Sequence, residues 1–172
     1  MFNPVVFRYW MSGIFAILLF ATCSSLRPAD SGIPKPRKPR SKTSTSKSSA
    51  AVATLRKNIT RTARRYKGSK YKYGGTTPKG FDCSGFTSYV LLKNKIDLHR
   101  TSGQQAKQGK KINTKAALPG DLLFFGRKGK VTHVAIVTEN TSRQLKVIHS
   151  TSSKGVVEQD ITHSEYWQSR LL

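Results

Sequence analysis

Residues 71–86 read Y-K-Y-G-G-T-T-P-K-G-F-D-C-S-G-F, and both the fold and the chemistry of the chain turn on this stretch. Asp82 is a favoured helix N-cap, and Phe86, Val90 and Leu91 follow it at helical spacing, so a helix is predicted to start at Cys83. The unpaired N–H groups of a first helical turn would then surround the sulfur and favour thiolate over thiol. Cys83 therefore reads as a seated nucleophile. Gly74-Gly75 and Thr77-Pro78 read as turn residues that let the chain approach the cleft, since no strand-loop-helix glycine fingerprint for phosphate accompanies them.

Upstream, Val52, Leu55, Ile59 and Ala63 recur at helical spacing from residue 51 to Tyr66, with Gly68 as the stop. Downstream, a short helix is expected over residues 102–107, after which the period changes. Leu122-Leu123-Phe124-Phe125, Val134-Ala135-Ile136-Val137 and Leu145-Lys146-Val147-Ile148 are apolar, β-rich runs separated by turn residues, and residues 156–160 add a fourth. Helices first and strands after predict an α+β domain with an antiparallel sheet.

A thiol nucleophile needs a base, and imidazole suits that task near neutral pH. His133 opens one expected strand and His149 closes the next, so a hairpin between them brings both rings to one end of the sheet. The arrangement would be Cys-His-His: Cys83 attacks, His133 carries the proton, and His149 orients His133. Spacing alone does not single it out. On the residues themselves, Tyr71 and Tyr73 can be core aromatics, and Asp82 and Ser84 can be capping residues with no other role. Asp121, after Pro119-Gly120, reads as a strand-entry turn, and His99 and His163 receive no role. No Cys-x-x-Cys or His-x-x-x-His pair is present, so no metal site is expected.

The N-terminal part has another character. The apolar run of residues 14–21, with Arg8 before it and Ala21-Thr22 directly ahead of Cys23, has the form of a secretory signal of lipoprotein type: residues 1–22 removed and Cys23 lipidated. An uncleaved anchor or a plain signal would place the domain outside the cytoplasm equally. Residues 23–50 are rich in Ser, Thr, Pro, Lys and Arg and read as a disordered basic tether, leaving residues 51–172 as the folded domain. The net charge of +23 would suit nucleic acid, but an exported protein meets lipid head groups, lipopolysaccharide and wall carboxylates instead.

The ordered motifs Tyr71-Lys72-Tyr73-Gly74-Gly75, Asp82-Cys83-Ser84-Gly85-Phe86, Arg100-Thr101-Ser102, Pro119-Gly120-Asp121, Thr132-His133-Val134 and Val147-Ile148-His149 resemble the NlpC-type family of bacterial cell-wall cysteine peptidases. The resemblance covers residues 55–172. It implies a papain-like α+β fold with Cys83 as nucleophile, His133 as base and His149 as third polar residue. It further implies Tyr71 at the oxyanion region and Asp82 and Ser84 as substrate-binding candidates. The implied activity is hydrolysis of an amide in peptidoglycan stems or cross-links, without cofactor, by a monomeric protein held at the cell envelope, facing the periplasm. Whether the γ-D-glutamyl bond or the D,D cross-link is cut stays open. The alternatives are a non-catalytic wall- or lipopolysaccharide-binding domain, and an amidase or acyltransferase of other specificity.

Overall fold

The computed structural model describes residues 5–8 and 43–172. Helix α1 (Thr43–Arg64) carries Ile59 and Ala63 on its buried stripe, while Lys57 and Arg61 stay exposed. It begins at Thr43 and not at residue 51, which shortens the expected tether; residues 24–42 and the lipidation candidate Cys23 lie outside the described residues. No proline follows Pro39 in this region, and Ala50, Ala51 and Ala53 are strong helix formers, so local propensity extends the helix into a stretch whose residues 48–54 remain exposed. Gly68, at a φ of 83°, turns the chain back, and its N–H bonds the Val156 carbonyl at 2.8 Å.

A small hairpin, β2 (Thr76–Thr77) and β3 (Gly80–Phe81), leads into α2 (Cys83–Lys93) and then α3 (Ser102–Gln105). The remaining elements are β4 (Lys110–Asn113), β5 (Leu122–Arg127), β6 (Lys130–Asn140), β7 (Leu145–Thr151), β8 (Gly155–Asp160) and the single-turn α4 (Glu165–Gln168). The strand β1 (Val5–Arg8), inside the segment read as an export signal, pairs between β4 and β5. The six-stranded sheet runs β4-β1-β5-β6-β7-β8, every pairing antiparallel. The α+β architecture is the expected one, and β5 to β8 form a meander of successive hairpins.

Both faces of this meander are covered, which explains why its strands read as unbroken apolar runs and not as alternating patterns. Leu122, Phe124, Val134, Ile136 and Ile148 point to the face packed by α1 and α2, against Ile59, Phe81, Phe86, Val90 and Leu91. Leu123, Phe125, Ala135, Val137 and Val147 point the other way, against Ala117, Ile161, Trp167 and Leu171. Each of these buried large side chains contributes about 1.5–3 kcal/mol relative to exposure. By the same alternation, odd-numbered His133 and His149 fall on the second face, beside the C-terminal segment.

Candidate active site

The start of α2 is built by local bonds. Asp82 is the N-cap: Oδ1 accepts from the Gly85 N–H at 2.6 Å, Oδ2 accepts from the Gly74 N–H at 3.0 Å, and the Asp82 N–H donates to the Gly75 carbonyl at 3.0 Å. The Tyr-x-x-Gly-Gly loop is thereby tied to the first turn of the helix. A Cβ on Gly85 would stand 2.0 Å from the Gly75 carbonyl oxygen, so only glycine admits this approach.

Arg100 closes the arrangement from outside. Its guanidinium donates to Asp82 Oδ2 at 2.6 Å and to Ser84 Oγ at 3.0 Å. Burial works against a charged Asp82, yet Arg100, the Gly85 amide and the Ser84 hydroxyl together hold its carboxyl below the usual range. Gln105, fully buried, donates to the Ser84 and His99 carbonyls and accepts from Thr87, locking α3 to α2. Both Asp82 and Ser84 are buried, so capping and support of the helix start are the roles this geometry displays.

Cys83 is half-buried with a free thiol. Burial pushes its pKa up and the neighbouring Asp82 carboxylate pushes it further, while the N–H groups of Val134, Ser84 and Cys83 itself pull the other way and do not prevail. The expected preference for thiolate is therefore reversed in the free protein. The acidic cap that starts the helix at Cys83 offsets, at the sulfur, the field of the helix it starts.

The Val134 N–H that reaches the sulfur lies next to His133 in the chain, which brings the thiol and the His133 segment together, and both side chains line one cleft. In the β6–β7 pairing, Ile136 faces Ile148 and Val137 faces Val147. One further step puts His149 opposite Ala135, two residues from His133 and on the same face. His133 Nε2 and His149 Nδ1 are 3.0 Å apart. The two rings thus meet by diagonal cross-strand contact, inside the strands and not at their ends.

Trp167 of α4 lies over this pair, its ring centroid 4.9 Å from each imidazole, and Phe125 packs on Trp167 at 5.0 Å. The C-terminal segment is held there by the Gly126 N–H, which donates to the Arg170 carbonyl at 2.7 Å, and by the Leu172 N–H bond to the Phe124 carbonyl at 3.1 Å. Burial, reinforced by the proximity of His149, pushes His133 down to about 3; burial also pushes His149 down to about 4. Both are neutral at physiological pH.

A cleft of about 500 Å³ opens over the site, with Tyr71, Cys83, His133, Gln159 and Trp167 in its walls. Burial first, then Cys83 and Asp82, push the Tyr71 phenol up, so it remains a proton donor beside the sulfur. Tyr73, by contrast, is 90% exposed, which sets it apart from the core reading. Asp121 is buried, pairs with Arg56 at 2.8 Å and accepts from the Leu118 N–H, in keeping with a turn at the strand entrance. Among the described residues, no group of three or more His, Cys, Asp or Glu could hold a metal ion.

The structure thus brings Tyr71, Asp82, Cys83, Ser84, His133 and His149 together. Sequence reasoning missed Trp167, the supports Arg100 and Gln105, and Gln159. Arg100 stood within a noted motif, and the Tyr166-Trp167 pair after the last strand was a visible aromatic signal. Gln105 and Gln159 offered none.

The NlpC/P60 family matches residues 68–172, more than half of the chain. The chain is 30% identical over 176 residues to the Escherichia coli (strain K12) "Murein DD-endopeptidase MepS/Murein LD-carboxypeptidase", covering 96% of this chain and 91% of that protein. It is 41% identical over 105 residues to the Bacillus subtilis (strain 168) "Gamma-DL-glutamyl hydrolase", covering 58% of this chain but 24% of the relative. It likewise spans 15% of the "Probable endopeptidase p60" of Listeria welshimeri. Among solved structures, the NlpC/p60 domain of the peptidoglycan hydrolase SagA superposes with a TM-score of 0.55 at 37% identity, covering 62% of this chain and 89% of that one. A family protein from Bacillus cereus ATCC 10987 gives 0.60 at 29% identity, covering 67% and 38%. With its antiparallel sheet, its Cys83 helix and the papain-like fold of these neighbours, the chain belongs to the NlpC/P60 family.

Proposed function

We propose that the protein is a cysteine endopeptidase that hydrolyses an amide bond in the stem peptides or cross-links of peptidoglycan. The observation that carries this reading is the His133–His149 pair, bonded at 3.0 Å, with His133 lining the same cleft as Cys83 and His149 buried behind it. Cys83 starts as thiol and His133 as neutral base, so the proton moves from sulfur to imidazole as the sulfur attacks the carbonyl carbon. The tetrahedral oxyanion takes hydrogen bonds from the Tyr71 hydroxyl and the N–H groups at the start of α2. The imidazolium returns its proton to the departing amine, and water, deprotonated by His133, releases the acyl group from sulfur. Asp82 and Ser84 hold the nucleophile's turn in place at the substrate's edge, supported by Arg100.

Of the two bonds considered, the D,D cross-link is favoured. The E. coli relative with that activity in its name matches over nearly the whole of both chains, whereas the B. subtilis glutamyl hydrolase matches over a quarter of its own length. The enzyme acts in the cell envelope, tethered by a lipid on Cys23. Digestion of purified peptidoglycan by the full chain and by Cys83→Ala, with products identified by mass spectrometry, tests the activity. New stem fragments released by the parent alone are expected, and their masses name the bond. No cleavage by either, with wall binding by both, would make the protein a non-catalytic binder. Anchoring is checked separately: Cys23→Ala should move the protein from the membrane to the soluble fraction.

A further inference from the structure

A bond between two neutral imidazoles has a direction, and the direction decides whether His133 can act. If His133 Nε2 donates to His149 Nδ1, the lone pair of His133 sits on Nδ1, ready for the proton of Cys83. If His149 donates instead, His133 carries its proton on Nδ1 and has no lone pair for the thiol. The choice falls to whatever meets the far nitrogen of His149. In the productive direction that nitrogen, Nε2, must carry a proton. It is fully buried, and no partner stands within strict hydrogen-bond geometry.

Gln159 on β8 is the side chain placed to serve it. The β7–β8 register sets His149 opposite Val157 and Val147 opposite Gln159, so Gln159 is the diagonal neighbour of His149 on the same face of the sheet. It is half-buried and reaches the same cleft. We propose that Gln159 is a positioning residue whose Oε1 accepts the Nε2 proton of His149, fixing both imidazoles in the tautomers that leave His133 Nδ1 free for Cys83. The interaction of Gln159 with His149 already raises the histidine's pKa against the effect of burial, as a carbonyl accepting from the ring would. The inference takes His133 as the base from the reading above, but the tautomer itself can be read without any activity.

Imidazole nitrogen NMR of the full chain, labelled with 15N-histidine, should show His149 protonated on Nε2 and His133 protonated on Nε2 in the parent. In Gln159→Met, which keeps the length and loses the acceptor, the pair should populate the reverse tautomers. Its kcat on peptidoglycan fragments should fall about tenfold to hundredfold with KM unchanged, the scale on which groups orienting a reacting side chain act. Gln159→Glu keeps an acceptor oxygen and should restore the parent tautomer and most of kcat. A parent His149 protonated on Nδ1 would overturn the proposal, as would a folded Gln159→Met with parental tautomers. If the tautomers follow Gln159 while no variant or parent cleaves, the peptidase reading fails and the positioning contact stands.

Discussion

The two histidines show how far burial governs single side chains here. Held down to about 3 and about 4, His133 and His149 stay neutral at physiological pH. Since Cys83 is pushed up, the resting pair is thiol and imidazole, not thiolate and imidazolium. Alkylation of Cys83 by iodoacetamide should therefore accelerate with pH beyond the ordinary thiol range; a rate plateau at neutral pH would show a preformed ion pair. The same shifts act on stability. In the unfolded chain each imidazole binds a proton near about pH 6.5, while in the native state it does so only near the lowered values. Stability must then fall as pH drops below about 6.5 and go on falling toward the native pKa values. Urea midpoints should be lower at pH 5 than at pH 7, and the drop should shrink in His149→Gln. Asp82 acts with the same sign in a lower pH window, its lowered carboxyl stabilising the fold above its unfolded pKa and losing that contribution in strong acid. Asp82→Ala removes the cap and the carboxylate that accepts from Arg100 and Ser84, leaving Arg100 only its bond to Ser84 Oγ. A loss of about 2 kcal/mol is expected by denaturant unfolding, the exposed part of Arg100 keeping the figure modest.

At the level of elements, α2 and the Tyr-x-x-Gly-Gly loop are in backbone contact, and α4 roofs the histidine pair. Gly85→Ala would drive a Cβ to 2.0 Å from the Gly75 carbonyl, so the loop and helix must part. The expected cost is about 2 kcal/mol, with a fall in kcat because Tyr71 and Cys83 sit on the two elements that separate. Activity at the parental level in a folded Gly85→Ala would show that the junction does not position Cys83. Trp167 presents a different case, since its ring covers the imidazoles. Trp167→Ala should admit water and let His133 titrate nearer its ordinary value, moving the acid limb of the kcat/KM profile upward in pH. An unchanged limb would mean that the strands alone keep the pair neutral.

Across the whole molecule the dominant quantity is a net charge of +23, with eight acidic residues against 31 basic ones. Several of those acids are already committed inside the fold, Asp82 to Arg100, Asp121 to Arg56 and Glu158 to Arg64. The uncompensated charge on the surface is therefore basic and suited to anionic wall and lipid surfaces. Cosedimentation of Cys83→Ala with purified wall should weaken steeply as sodium chloride rises from about 0.05 M to about 0.5 M, over which the screening length falls to a few ångströms. Salt-independent binding would assign attachment to the cleft and not to the charge.

Much of this was legible in the chain itself, because it depended on neighbours in sequence. The Asp82 cap and the periodic apolar residues after it determined that a helix starts at Cys83, and the strands announced themselves as apolar runs because both sheet faces are buried. Tyr71, Asp82, Cys83, Ser84, His133 and His149 were named from motifs along the chain. What required the tertiary structure was everything set by distance through space. The protonation state of Cys83 follows from burial and from a carboxylate that local reasoning counted only as a cap. The bond between His133 and His149 follows from the register of β6 on β7, and the enclosure by Trp167 and the approach of Gln159 follow from where α4 and β8 return to the sheet. Capping and periodicity act within a few residues, so a sequence displays them; desolvation and cross-strand contact join residues far apart in the chain, and only the folded molecule brings them within reach.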